Sequence, residues 1–117
     1  MMNNLMMAAR AITTQSELME GREKGDMKTL VDIQPITISD FDFADDGKGE
    51  QYAIFTIKEH DATFFFGGGV ITDHLKKLDS QGFKQDIQRD GLPVLFENKK
   101  SKNNRYYINA ILFPENN

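Results

Sequence analysis

The sequence predicts a small, mainly β domain: a five-stranded Greek-key barrel with a helix between its third and fourth strands and a short helix ahead of it. Three observations predict it. Apolar residues alternate with polar ones in several short segments, which is the period of a half-buried strand. The one clear helical spacing, Val70 or Ile71, His74 or Leu75, and Leu78, falls after the third such segment. Glycine and proline separate the segments at Pro35, at Gly67 to Gly69, and at Gly91 with Pro93. A chain of 117 residues has room for one core, and that core has no disulfide to help it because there is no Cys.

Met1 to Ala11 lacks a basic region ahead of an apolar core, so it does not read as a secretory signal, and Met1, Met2, Met6 and Met7 all offer starts. Thr14 and Glu17 have capping-box spacing, which predicts a short helix with Leu18 and Met19 on its apolar edge, ended by Gly21 and Gly25. Residues 1–27 are taken as a flexible N-terminal segment and 28–114 as the domain. The first strand is expected from Leu30, with Val31 and Ile33 on one face and Ile36 and Ile38 on the other. That change of parity needs a bulge or bend, placed at Pro35 because proline gives no amide to the ladder. Phe41 and Phe43 carry this strand to an exposed loop, residues 44–50.

In the second strand, residues 51–58, Ala53, Phe55 and Ile57 form the expected core face, and Tyr52, Ile54, Thr56 and Lys58 face outward. A tight connection over Glu59, His60 and Asp61 leads to a third strand, residues 62–66. Ala62, Phe64 and Phe66 would then point inward and Phe65 outward. After the helix, a second helical turn is expected over residues 83–88, packing through Phe83 and Ile87. The fourth strand is expected at residues 92–96, a polar turn at 97–104, and the fifth strand at 105–113. In that strand Tyr107 and Asn109 oppose the apolar Ile108, Ala110 and Leu112. Five-stranded barrels of the oligonucleotide- and oligosaccharide-binding type have this element order. An open α+β sheet with the helix on one face is the rival architecture.

Composition narrows the chemistry. With no Cys there is no thiol nucleophile and no Cys-ligated zinc or iron–sulfur cluster, and the absence fits a reducing, cytoplasmic compartment. No apolar run approaches the ~20 residues of a membrane span. His60 and His74 share no metal-binding or catalytic spacing, and the serines at 16, 39, 80 and 101 lack a nucleophile-elbow context, so no catalytic, metal or cofactor site is predicted. Asp40, Asp42, Asp45 and Asp46 resemble a calcium loop, but position twelve is Gln51 or Ala53 rather than a bidentate Glu. Gly67, Gly68 and Gly69 stand where a phosphate loop would stand, yet Val70 and Ile71 replace the Lys and Ser or Thr that chemistry needs.

Charge placement is more informative than its total of -4. Residues 28–60 hold three basic and seven acidic residues, whereas residues 83–117 hold six basic and four acidic. Lys99, Lys100, Lys102 and Arg105 fall within seven residues beside Tyr106 and Tyr107. Single-strand binding needs cations for phosphates and flat rings for bases. The candidate site is therefore Lys58, Lys99, Lys100, Lys102 and Arg105 for the backbone, with Tyr52, Phe65 and Tyr107 for stacking. DNA and RNA are both open, because discrimination rests on one hydroxyl. A protein-interaction or adaptor module using the same face is the alternative, and an exposed strand offers a route to homo-oligomers.

The segments from Ile33 to Phe43 (IQPITISDFDF), from Phe64 to Leu75 (FFFGGGVITDHL) and from Leu92 to Leu112 (LPVLFENKKSKNNRYYINAIL), with the leader Leu18 to Lys24 (LMEGREK), resemble a group of small phage and mobile-element proteins. Members of that group are regarded as single-stranded DNA-binding or are uncharacterised. The resemblance implies a barrel that coats single strands during replication or recombination. The ending Pro-Glu-Asn-Asn departs from the acidic, Phe-terminated tail of bacterial single-strand-binding proteins. Deleting residues 1–10 is expected to leave the thermal midpoint nearly unchanged, and a collapse of the fold in a melting scan would contradict the assignment of that segment.

Overall fold

The computed structural model describes residues 16–33 and 35–112. Among the described residues six strands, β1 (Glu23–Lys24), β2 (Ile36–Asp45), β3 (Gln51–Ile57), β4 (His60–Phe66), β5 (Leu92–Lys100) and β6 (Tyr106–Leu112), form one mixed sheet in the order β1-β4-β3-β2-β5-β6. A 3-10 turn, Glu17–Met19, precedes them, and three helices, α1 (Met27–Leu30), α2 (Gly69–Ser80) and α3 (Lys84–Asp90), accompany them. The chain is mainly β as predicted, but the sheet is open rather than a closed barrel. The free edge of β4 is where a barrel would seat the last strand. Here β1 takes it in parallel, pairing Glu23 with Thr63 and Lys24 with Phe64. Helix α2 lies against β3 and β6 instead of a strand seam joining the two ends.

One face of the sheet carries the main core. Ile36, Ile38, Phe41, Ala53, Phe55, Ile57, Phe65, Val94 and Phe96 are buried there beneath Leu30, Ile71, Leu75 and Ile87 from the helices. A smaller cluster lies on the opposite face, where Ala44, Ile54 and Phe64 pack with Tyr52 and Phe66 under Leu18 and Met19. The segment that supplies Leu18 and Met19 is fixed by Ser16, whose hydroxyl accepts from Leu18 N at 3.1 Å and donates to Asp42 Oδ2 at 3.1 Å. Thr14, the predicted cap, lies outside the described residues.

The first strand differs from expectation at its start. Asp26 Oδ1 accepts from Lys28 N at 3.0 Å, and this N-cap starts a short helix, Met27–Leu30, that takes in Leu30, the expected first residue of the strand. Pro35 stands just ahead of β2, and the bulge falls between Ile38 and Asp40. There the two-residue period restarts, so Ile36 and Ile38 before it and Phe41 after it all point into the core. The bulge is fastened by a 2.8 Å hydrogen bond between the Ser39 and Thr56 hydroxyls. β2 thereby serves two partners: its first residues pair with β5 and its remainder with β3.

β3 keeps the predicted core face, but in β4 the faces are exchanged. Ile57 pairs with His60, whereas Thr56 pairs with Phe64 and Phe55 with Phe65. Three extra residues, Asp61 to Thr63, are accommodated in β4, and an odd insertion moves every later side chain to the other face. Phe65 is therefore core, and Phe64 and Phe66 lie on the second face.

Two glycines are demanded by geometry. Gly91 has φ +86 at the turn from α3 to β5, and a Cβ there would lie 2.6 Å from Thr37 Cγ2. Gly67 follows β4, and a Cβ would lie 2.8 Å from Ile71 Cγ2. At that crossing Thr72 completes the ladder, its hydroxyl accepting from Ala53 N at 2.9 Å. Thr72→Val keeps the shape and orphans a buried N–H, so a loss of about 1–3 kcal/mol is expected in urea titration, with Thr72→Ser retaining most of the stability.

Candidate nucleic-acid interface

The β5–β6 hairpin is a regular ladder from Val94 and Leu112 to Lys100 and Tyr106. β2 pairs with β5 at Leu92 to Val94, and from Leu95 onward the ladder of β5 runs to β6 alone. The last buried pair of the ladder is Phe96 with Ala110, and Ile108 still packs against the core, so the final two residue pairs, Lys99 with Tyr107 and Lys100 with Tyr106, extend about 7 Å beyond it. The sequence places the turn at residues 97–104; the structure carries the ladder through Lys100 and closes it over Ser101 to Arg105. Ser101 organises this tip: its N donates to Arg105 O at 2.8 Å, its carbonyl accepts from Asn104 N at 3.0 Å, and its hydroxyl accepts from Asn103 N and Arg105 N. Asn104 takes the left-handed conformation at φ 62, which Asn tolerates better than most residues.

This arm gathers five of the eight predicted site residues: Lys99, Lys100, Lys102, Arg105 and Tyr107. The cross-strand pairing sets Lys99 beside Tyr107 on one face and Lys100 beside Tyr106 on the other. The Lys100 ammonium lies 5.6 Å from the Tyr106 ring centroid. Glu97 is the acidic residue of the arm, 3.6 Å from Lys99 Nζ and bonded to the Asn109 amide at 3.1 Å. Tyr106 was missed by sequence reasoning, which placed it on the inward parity. It does have that parity, but it sits beyond the end of the core and is 74% exposed, more than Tyr107 at 42%. The signal available was the run of charged and amide residues opposite it in β5, which offers nothing for an inward ring to pack against.

The other three lie elsewhere. Phe65, expected to face outward, is 3% exposed and stacks on Phe55 with ring centroids 5.5 Å apart. Tyr52 is half-buried and meets Phe66 edge-on at 5.3 Å in the second-face cluster. Lys58 follows β3, and its ammonium donates to Asp90 O at 3.2 Å, capping the end of α3. It stands near the start of β5, and the nine residues from Leu92 to Lys100 span about 26 Å. Asp90 itself is held below the usual carboxylate range by hydrogen bonds from Arg89, burial opposing, with Lys58 adding a smaller attraction.

A cleft of about 750 Å³ opens between the β2–β3 loop and the start of α2, lined by Asp45, Asp46, Glu50, Asp73 and Lys76 among others. Among the described residues no group of three His, Asp or Glu side chains is placed to hold a metal ion. His60 begins β4, and His74 donates from Nε2 to Ala110 O at 3.0 Å. No described helix is long and apolar enough to cross a membrane.

Replacing Asn104 with Ile should cost the arm about 1–2 kcal/mol through its left-handed backbone, and Asn104→Gly should cost nothing. Amide exchange at Lys99 and Tyr107 is the measurement, because opening the tip exposes that hydrogen-bonded pair. Comparison with family models, curated proteins and solved structures gave no match.

Proposed function

We propose that the chain is a non-catalytic, sequence-tolerant binder of single-stranded nucleic acid that works through the β5–β6 arm. The observation that carries this reading is the arm's composition: four cations against Glu97, with two exposed tyrosines paired to lysines across the ladder. Cations follow a phosphate backbone and rings stack on unpaired bases, each stacked base contributing about 1–3 kcal/mol. Strand order supports the same reading, since β5 returns beside β2 after the β2–β3–β4 meander, as the fourth strand of a Greek key does. On our reading, this order is that of an oligonucleotide-binding barrel left unsealed between β4 and β6. The resemblance to small phage and mobile-element proteins points to replication or recombination as the setting and to single-stranded DNA as the strand.

Four neutralised phosphates give a slope of about -2.8 in log affinity against log salt, or roughly fiftyfold between about 50 and 200 mM. Titration of fluorescent dT oligonucleotides measures it. Changing Lys99, Lys100 and Lys102 together to Glu should abolish binding with the fold intact, and unchanged retention by that variant overturns the assignment. The adaptor reading rests on the apolar Leu95 and Ile111, which share the outer face with Tyr107 across the Glu97–Asn109 pair, and it requires no oligonucleotide binding at low salt.

A further inference from the structure

We propose that two copies of this chain pair through the free edge of β6, antiparallel and centred on Tyr107, so that two sheets become one. The inner ladder dictates which backbone groups face outward. The bond from Ser101 N to Arg105 O makes those residues a hydrogen-bonded pair, and alternation makes Lys99 with Tyr107, Glu97 with Asn109, and Leu95 with Ile111 the next ones. Tyr106, Ile108 and Ala110 therefore turn their N–H and C=O groups away from β5. Ala110 O is taken by His74 of α2, which agrees with this phase and marks where the usable edge ends. Tyr106 and Ile108 keep outward donors and acceptors that no described residue meets.

Strand edges are ordinarily guarded by charge, proline, a bulge or a covering element. β1 covers β4 at the other end of the sheet. β6, with the sequence YYINAIL, holds no charge, proline or glycine, and its ladder has no bulge. It also bears Tyr106, Tyr107 and Ile111, three of the four exposed large apolar side chains among the described residues.

The pattern fits a second copy of the same strand. A two-fold axis at Tyr107 sets Tyr106 against Ile108 of the second copy, and Ile108 against its Tyr106. Both are hydrogen-bonded pairs, so four N–H···O bonds form, and the two Tyr107 rings meet across the axis. Charge agrees with this register. The basic tips run in opposite directions, and Arg105 lands opposite Asn109 of the second copy. That amide is already bonded to Glu97 on the same face, so each guanidinium gains a carboxylate one strand away.

Sedimentation equilibrium of the full chain without nucleic acid, from about 1 to 200 μM, tests this independently of any strand binding. A monomer–dimer equilibrium is expected. Tyr106→Pro removes an outward N–H and no inner ladder bond, and Tyr107→Lys sets two ammonium groups face to face at the axis. Each should raise the dissociation constant about tenfold or more with an unchanged circular dichroism spectrum. A wild-type monomer at every concentration overturns the proposal. So does wild-type dimerisation by both folded variants, or by Tyr107→Lys alone should Tyr106→Pro unfold.

Discussion

Phe55 lies between two rings that belong to different halves of the sheet. Phe65, its neighbour in β4, stacks at 5.5 Å, and Phe96 in β5 stacks at 6.0 Å. β3 and β5 are not adjacent; β2 separates them, which in a flat sheet would put them about 9.6 Å apart. The Phe55–Phe96 contact therefore requires the sheet to coil over its core face. The Ser39 bulge permits that coil, because it lets one strand bend and still point Ile36, Ile38 and Phe41 inward. The helices then fill the trough that results, and the β5–β6 arm leaves the body in the direction this coil imposes.

The parts of the fold readable from sequence were those decided by local period. β3 has its predicted bounds to within one residue and its predicted core face, and α2 follows the apolar spacing that announced it. The errors came from odd-numbered insertions and from competition between local motifs. Asp26 converted a presumed strand start into a helical turn. Three extra residues in β4 exchanged the faces of Phe64, Phe65 and Phe66, which no alternation rule detects because both phases of a Phe run look equally apolar. The open seam depended on β1, a two-residue strand too short to leave a periodic trace. Within the candidate site, the cluster from Lys99 to Arg105 was legible because it is contiguous. Tyr52, Lys58 and Phe65 were joined to it on a closed-barrel geometry, and the open sheet leaves them elsewhere.

The net charge of -4 describes no actual surface of the molecule. The acidic residues 45, 46 and 50 line the loop between β2 and β3, whereas the cations at 99, 100, 102 and 105 sit on an arm at the far end of β5. A polyanion approaching the arm meets attraction within a Debye length, about 8 Å at physiological salt, before it senses the acidic end. A ligand attracted by charge is therefore oriented as well as held.

The double pairing of β2 also has a kinetic side. Its bonds to β3 close a short loop, but Ile36 and Val94, which pair between β2 and β5, are 58 positions apart in the chain. The β3–β4 and β5–β6 hairpins are local and can assemble early, while the junction of the two halves must wait for that long closure to be offset by buried surface. The pairing of β5 with the first three residues of β2 is the longest-range strand pairing of the sheet, and it is what brings the ring of Phe96 to that of Phe55.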